Sequence, residues 1–158
     1  NRKVSRAALI GDGPTRSRQV YGSMYNFQYD PKTKATLPYY DRFPLCIPVQ
    51  KAKGGFYGLN LHYLHPLIRA QFLDELYDIT NNDKYDRTTK MNVTYQLLKS
   101  TSKMRFFKPC LKHYLSNQIQ SPLLLIEPAD WEIAIFLPTE SFRKVDKNTV
   151  WNESRSKF

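Results

Sequence analysis

Apolar and polar positions alternate with period two from Val20 onward: Tyr25, Phe27 and Tyr29 fall on one side, Met24, Asn26 and Gln28 on the other. Such alternation predicts a strand with one buried face. Asp30-Pro31-Lys32 ends it, because proline has no N–H to give a central ladder and Asp-Pro favours a turn. Thr33 to Asp41 reads as an extended excursion. A second strand follows over Phe43 to Gln50, where Pro44 and Pro48 each remove a donor and predict an edge or interrupted strand. Lys51 to Gly55 has the composition of a hairpin loop. Phe56 to Leu64 returns as a third strand, with Phe56, Gly58, Asn60, His62 and Leu64 on one face. Three successive antiparallel strands around one apolar face predict a small, curved, SH3-like sheet.

The period then changes. Pro66 suits the first turn of a helix, and Ile68, Phe72, Leu76 and Ile79 recur at helical spacing over residues 66 to 80. Asn81-Asn82-Asp83 breaks the pattern. A second helix is predicted after a cap at Thr88 or Thr89, carrying Met91, Tyr95 and Leu98, and a third from about Pro109 through Leu111, Tyr114, Leu115 and Ile119. Beyond Pro122, Leu123 to Ile126 predicts a short apolar strand, Asp130-Trp131 a turn, and Ile133 to Leu137 another strand. The tail predicts one or two helical pieces docked by Phe142, Val150 and Trp151. The expected class is α+β: a small curved antiparallel sheet packed by about three helices, with extended basic termini. In domain terms this is a basic arm over 1–19, one domain over 20–138 and a basic tail over 139–158.

Composition fits one packed core, since 41% hydrophobic residues in 158 exceed what a disordered chain carries. Charge narrows the partners. A net charge of +10 attracts polyanions, so nucleic acid comes first and an acidic protein second. Membrane ranks last, because no apolar run approaches the roughly 20 residues of a spanning helix, and no signal peptide is visible. Cys46 and Cys110 lie far apart with no CxxC pair, which predicts free, buried thiols.

The strongest charge feature lies between Asp86 and Glu127, a stretch with no acid, which holds Arg87, Lys90, Lys99, Lys103, Arg105, Lys108 and Lys112. Lining one face, these cations would contact successive phosphates of a nucleic acid; the alternative is a solvated basic surface. No helix-turn-helix, zinc finger or RNP signature is present, so such contact is expected to ignore base sequence. Arg2, Lys3 and Arg6 in the arm are candidates for wrapping a partner or a duplex. Tyr39, Tyr40, Arg42 and Phe43 in Leu37-Pro38-Tyr39-Tyr40-Asp41-Arg42-Phe43-Pro44 are candidates for a protein contact, because these rings cannot all face one small core from an extended loop.

Asp41 is expected either to join a buried ion pair with Arg42 or to cap a turn while Arg42 faces solvent. His62 and His65 form an HxxH that lacks the third and fourth ligands of a metal site, for which the nearby acids Asp41 and Asp74 are no more than candidates; a structural role bonded to backbone groups is expected, and neither a metal nor a cofactor. Lys51 and Lys53 follow Gln50 rather than an acid, so the acid-x-Lys of a Mg²⁺ nuclease is absent from the hairpin and a nuclease is the weaker reading.

The strings YDPKTKATLPYYDRFPL (29–45), GGFYGLNLHYLHP (54–66), FKPCLKHYL (107–115) and IFLP (135–138) resemble the DNA end protector family of T-even-type tailed bacteriophages. The resemblance covers most of Tyr21 to Trp151. It implies a non-enzymatic virion protein at the ends of packaged linear DNA, shielding them from exonuclease, found in the particle and in the host cytoplasm during assembly. Its implied partners are phage DNA and other virion proteins within an oligomeric assembly. A purely structural neck or baseplate protein that binds acidic neighbours is the other possibility. No family binding residue carries over, so the candidate sites rest on charge and exposure.

Overall fold

The computed structural model describes residues 15–80 and 107–156. Six strands form one antiparallel sheet: β1 (Thr15–Arg16), β2 (Met24–Asn26), β4 (Leu45–Ala52), β5 (Gly55–Asn60), β6 (Leu111–Leu115) and β7 (Leu123–Ile126). Their order across the sheet is β1-β7-β2-β4-β5-β6. A separate pair joins β3 (Tyr40–Asp41) to β8 (Phe142–Arg143). Three helices accompany them: α1 (Pro66–Thr80), α2 (Trp131–Ala134) and α3 (Lys147–Arg155). The class is therefore α+β. The sheet is open, with β1 and β6 at its edges, and no pairing among the described residues closes it into an SH3-like barrel.

Alternation along the strands builds two cores. Leu45, Ile47 and Val49 of β4 join Met24, Leu59, Leu124 and Ile126 on one face, against Phe72, Leu73 and Leu76 of α1 and Val150 and Trp151 of α3. The opposite face carries Tyr25, Phe27, Tyr29, Cys46, Phe56, Tyr114 and Leu123. Its rings meet edge to face, as their quadrupoles favour: Tyr29 to Tyr114 at 4.9 Å between centroids and Phe27 to Tyr114 at 5.6 Å. Both cysteines are free and buried.

The first helix has the expected bounds, with Phe72 and Leu76 buried and Ile68 half-buried; the Ile79 side chain and the helix expected around Met91, Tyr95 and Leu98 lie outside the described side chains. Elsewhere tertiary context overrides local pattern. β4 is central rather than an edge strand, and it is interrupted as the prolines predict: Pro44 precedes it and the β4–β5 register shifts between Pro48 and Gln50. β5 stops at Asn60 instead of running to Leu64. The Asn60 side-chain oxygen accepts from His62 N at 3.0 Å and turns the chain into a 3-10 turn over Leu61–Tyr63.

The helix expected from Pro109 is instead β6. Its pattern of apolar residues fits either period, and the free edge of β5 decides, with Phe56 opposite Tyr114 and the Gly55 backbone close against Tyr114. Conversely, the strand expected over Ile133 to Leu137 is helix and turn. Trp131, Ala134 and Ile135 are buried at i, i+3 and i+4 while Ile133 and Phe136 are exposed, which is helical periodicity. Arg69 fixes this segment from α1: its guanidinium is fully buried, Nε donates to Leu64 O at 2.8 Å and Nη1 to Ile135 O at 2.6 Å. Burial lowers its pKa to about 10, so it remains a cation at neutral pH.

Gly58 allows the sheet its close packing. A Cβ there would stand 2.3 Å from Cys46 Sγ, inside any real contact distance. Gly58→Ala is expected to cost about 1–3 kcal/mol through overpacking, measured by denaturant unfolding. Adding Cys46→Ala should recover part of the loss; two penalties that simply add would contradict this contact.

Candidate nucleic-acid interface

β3 and the turn after β5 come together at a buried carboxylate. Asp41 is 4% exposed, and each of its oxygens takes two hydrogen bonds. Oδ2 faces His62 Nδ1 at 2.7 Å and accepts from Asn60 Nδ2 at 3.0 Å. Oδ1 accepts from the backbone N–H groups of Phe43 and Ser141, both at 3.0 Å. His62 Nε2 in turn meets Thr139 Oγ1 at 2.9 Å. Burial pushes the Asp41 carboxyl up, but attraction to His62 and the converging hydrogen bonds outweigh it and hold the pKa below the ordinary carboxylate value.

Hydroxyl, imidazole and carboxylate in line have the geometry of a hydrolytic triad. Here His62 is fully buried and Thr139 is 5% exposed, so a substrate has no open approach, and the arrangement serves as a structural tie. Both expectations for Asp41 hold in part: it belongs to a buried pair and caps a turn, but its partner is His62 rather than Arg42. The ring of His62 bonds side chains rather than the backbone groups expected of it. His65, exposed, accepts from Leu67 N at 3.1 Å. No group of three His, Cys, Asp or Glu among the described residues is placed to hold a metal.

This tie orients a cleft of about 470 Å³ walled by Tyr29, Tyr39, Tyr40 and Tyr63, with Lys32 and Lys112 among its lining. Tyr40 immediately precedes Asp41, and Tyr63 immediately follows His62. Tyr39 and Tyr63 lie 6.0 Å apart with rings tilted by 37°, and Lys112 Nζ sits 3.9 Å from the Tyr63 ring centroid as a cation–π contact. Burial raises the Tyr29, Tyr39 and Tyr63 hydroxyls above their usual pKa, so these walls carry no phenolate charge at neutral pH. The loop over 33–37 is pinned by Lys144, whose ammonium donates to the carbonyls of Lys34, Ala35 and Leu37. Lys144 itself adopts φ 79°, a left-handed conformation that this tripod holds in place.

A second cavity of about 410 Å³ adjoins the first, sharing Tyr29 and Tyr40, and is lined by Lys34, Arg42 and Arg143 with Asp30. Asp30 engages Lys34 at 3.0 Å. Aromatic walls thus lie beside a cationic recess, an arrangement able to stack a planar ring and neutralise an attached phosphate.

The expected residues divide. Tyr39 and Tyr40 line the cleft, Arg42 the adjoining recess, and Phe43 is half-buried with the Arg42 guanidinium 5.8 Å from its ring centroid. Lys112 reaches the cleft from edge strand β6, whereas Lys108 is exposed at the start of the 3-10 turn over Lys108–Cys110. Arg87, Lys90, Lys99, Lys103 and Arg105, with Arg2, Lys3 and Arg6, lie outside the described residues. Tyr29, Tyr63, Lys32 and Arg143 join the site unforeseen; only the density of tyrosines from 21 to 63 hinted at them.

Residues 12–155 match the model of the phage T4 terminal DNA protecting protein family. The chain belongs to this family. Neither the curated proteins nor the solved structures yield a match. Membership in the terminal DNA protecting family places the chain among phage proteins, and the family's description names protection of DNA rather than a reaction.

Asp41→Asn is expected to destabilise the fold by about 1–3 kcal/mol for each buried donor left unpaired, because the amide nitrogen that replaces one oxygen cannot accept the hydrogen bonds that oxygen takes. The pH dependence carries a sign. A carboxyl whose folded pKa is depressed contributes stability above its unfolded value of about 3.9, and that contribution is lost as pH falls through the folded pKa. Thermal unfolding of the wild type between about pH 6 and pH 2 should therefore show an acid limb that flattens in Asp41→Asn. Superimposable limbs would contradict the assignment.

Proposed function

We propose that this protein caps the termini of linear phage DNA by binding them, without catalysing a reaction on them. Binding is sequence-independent and electrostatic at its base. Lys112, Arg42 and Arg143 neutralise phosphates from the described surface, and the basic stretch holding Arg87, Lys90, Lys99, Lys103 and Arg105 extends the contact. Arg2, Lys3 and Arg6 add a wrapping arm. The reading is supported above all by one observation: in a member of a DNA-protecting family, tyrosine walls and cations converge on one surface. Protein so bound occupies the virion after packaging and the host cell before it, alongside other virion proteins.

The test is binding of the purified protein to blunt-ended linear and covalently closed DNA across a salt series with Mg²⁺ present. Tighter binding to the linear form, no cleavage, and a linear fall of log K with log salt are expected. Charge reversal at Lys103 or Arg105 should reduce the salt slope by about one for each phosphate that is no longer neutralised. Equal or absent binding would favour a structural subunit, and Mg²⁺-dependent cleavage a nuclease.

A further inference from the structure

Phosphate neutralisation does not distinguish an end from the interior of a duplex, since both present the same backbone charge. Recognition of an end needs a feature that only an end offers. A base inside a duplex has both faces covered by neighbours, and extruding it costs the stacking and pairing on each side. A terminal base has one neighbour and leaves the stack at lower cost. A ring-walled cleft large enough for one nucleotide therefore selects ends over interiors.

We propose that the tyrosine cleft holds a single unstacked nucleotide from the end of a DNA strand, with its base between the walls and its phosphate toward the adjoining cationic recess. This rests on the DNA-end reading above and names the part of the DNA that the site takes. Four observations carry it. The cleft, at about 470 Å³, has the volume of a small-molecule site. Its walls are aromatic, and aromatic rings accept any base because every base has a π-face. Tyr29 and Tyr40 line both cavities, which puts the recess with Arg42 and Arg143 next to the cleft, on the side where the phosphate of a base against Tyr40 is proposed to lie. The walls are pre-set: Tyr40 and Tyr63 are fixed by the Asp41–His62 pair, and the 33–37 loop by Lys144, so little ordering is required on binding.

The geometry also distributes roles among the tyrosines. Tyr63 is 5% exposed and already faces the Lys112 ammonium, and Tyr29 is 7% exposed with its hydroxyl accepting from Leu115 N. Half-buried Tyr39 and Tyr40 are the rings left accessible to an incoming base. Lys32, exposed at the cleft, offers a further cation to the terminal phosphate.

The experiment uses the full chain and a blunt linear duplex carrying 5-iododeoxyuridine either at its terminal position or deep in its interior. Irradiation should crosslink the terminal base to Tyr39 or Tyr40, identified by mass spectrometry, and the interior base to neither. In parallel, Tyr40→Ala should lower the linear-over-closed affinity ratio about five- to a hundred-fold, the loss expected for one stacked base, while Tyr40→Phe, which keeps the ring, retains the ratio within about twofold of wild type. Tyr40→Phe also controls for misfolding, since it preserves the packing of β3. If the wild type prefers linear DNA but crosslinks elsewhere, or Tyr40→Ala keeps the full ratio, the nucleotide pocket is overturned and end binding stands. Wild-type protein that binds linear and closed DNA alike overturns both readings.

Discussion

A carboxylate removed from water needs hydrogen bonds to its lone pairs, and the Asp41 site meets that demand with its own turn and with groups from two distant parts of the chain. Asn60 and His62 come from the turn after β5, Phe43 N from the residues following β3, and Ser141 N from the strand pair near the C-terminus. Thr139, from the same segment as Ser141, extends the network through His62, and the His62 carbonyl accepts from Trp151 Nε1 at 2.9 Å, which brings α3 against the same centre. Removing any one of these partners leaves a buried polar group unpaired, so the segments hold their places together. The adjacent residues Tyr40 and Tyr63 inherit this rigidity. Hydrogen bonds, rather than a sheet ladder, thereby hold a site made of loops and a two-residue strand.

Sequence pattern revealed those elements whose signals are local. α1 follows from Pro66 and a four-residue apolar spacing, the β4–β5 hairpin from Gly54-Gly55, and β7 from four consecutive apolar residues after Pro122. Segments whose periodicity fits two templates were decided by what lies beside them. Leu111, Tyr114 and Leu115 match a helix, yet β5 offers an unpaired edge and a glycine against which the Tyr114 backbone lies. Ile133 to Leu137 matches a strand, yet a buried arginine takes the Ile135 carbonyl. Pro48 in a central strand is tolerated only because the ladder shifts register there.

The candidate site was legible only in pieces. Aromatic density around Tyr39 and Tyr40 pointed to a surface with a purpose, and the acid-free run pointed to polyanions. Their meeting point depends on Lys112 being on a strand at the sheet edge, which a helical reading of residues 109–119 hides. The Asp41–His62 contact joins residues 21 apart, and Thr139 is 77 from His62, separations that no spacing rule connects. Long-range polar networks of this kind leave single Asp, His and Thr residues in the sequence with nothing to link them.

The proposed function assigns different parts to charge and cleft. In the end-capping proposal, the cations would supply affinity for any DNA that falls with salt, and the tyrosine walls the preference for a terminus. The most direct test of end capping is to saturate a blunt-ended linear duplex with the protein and then add a processive double-strand exonuclease, following release of the first nucleotides from each end. Capping predicts that release is blocked for as long as the ends are occupied and resumes when high salt displaces the protein. Digestion at the unprotected rate, with the protein demonstrably bound, would contradict it.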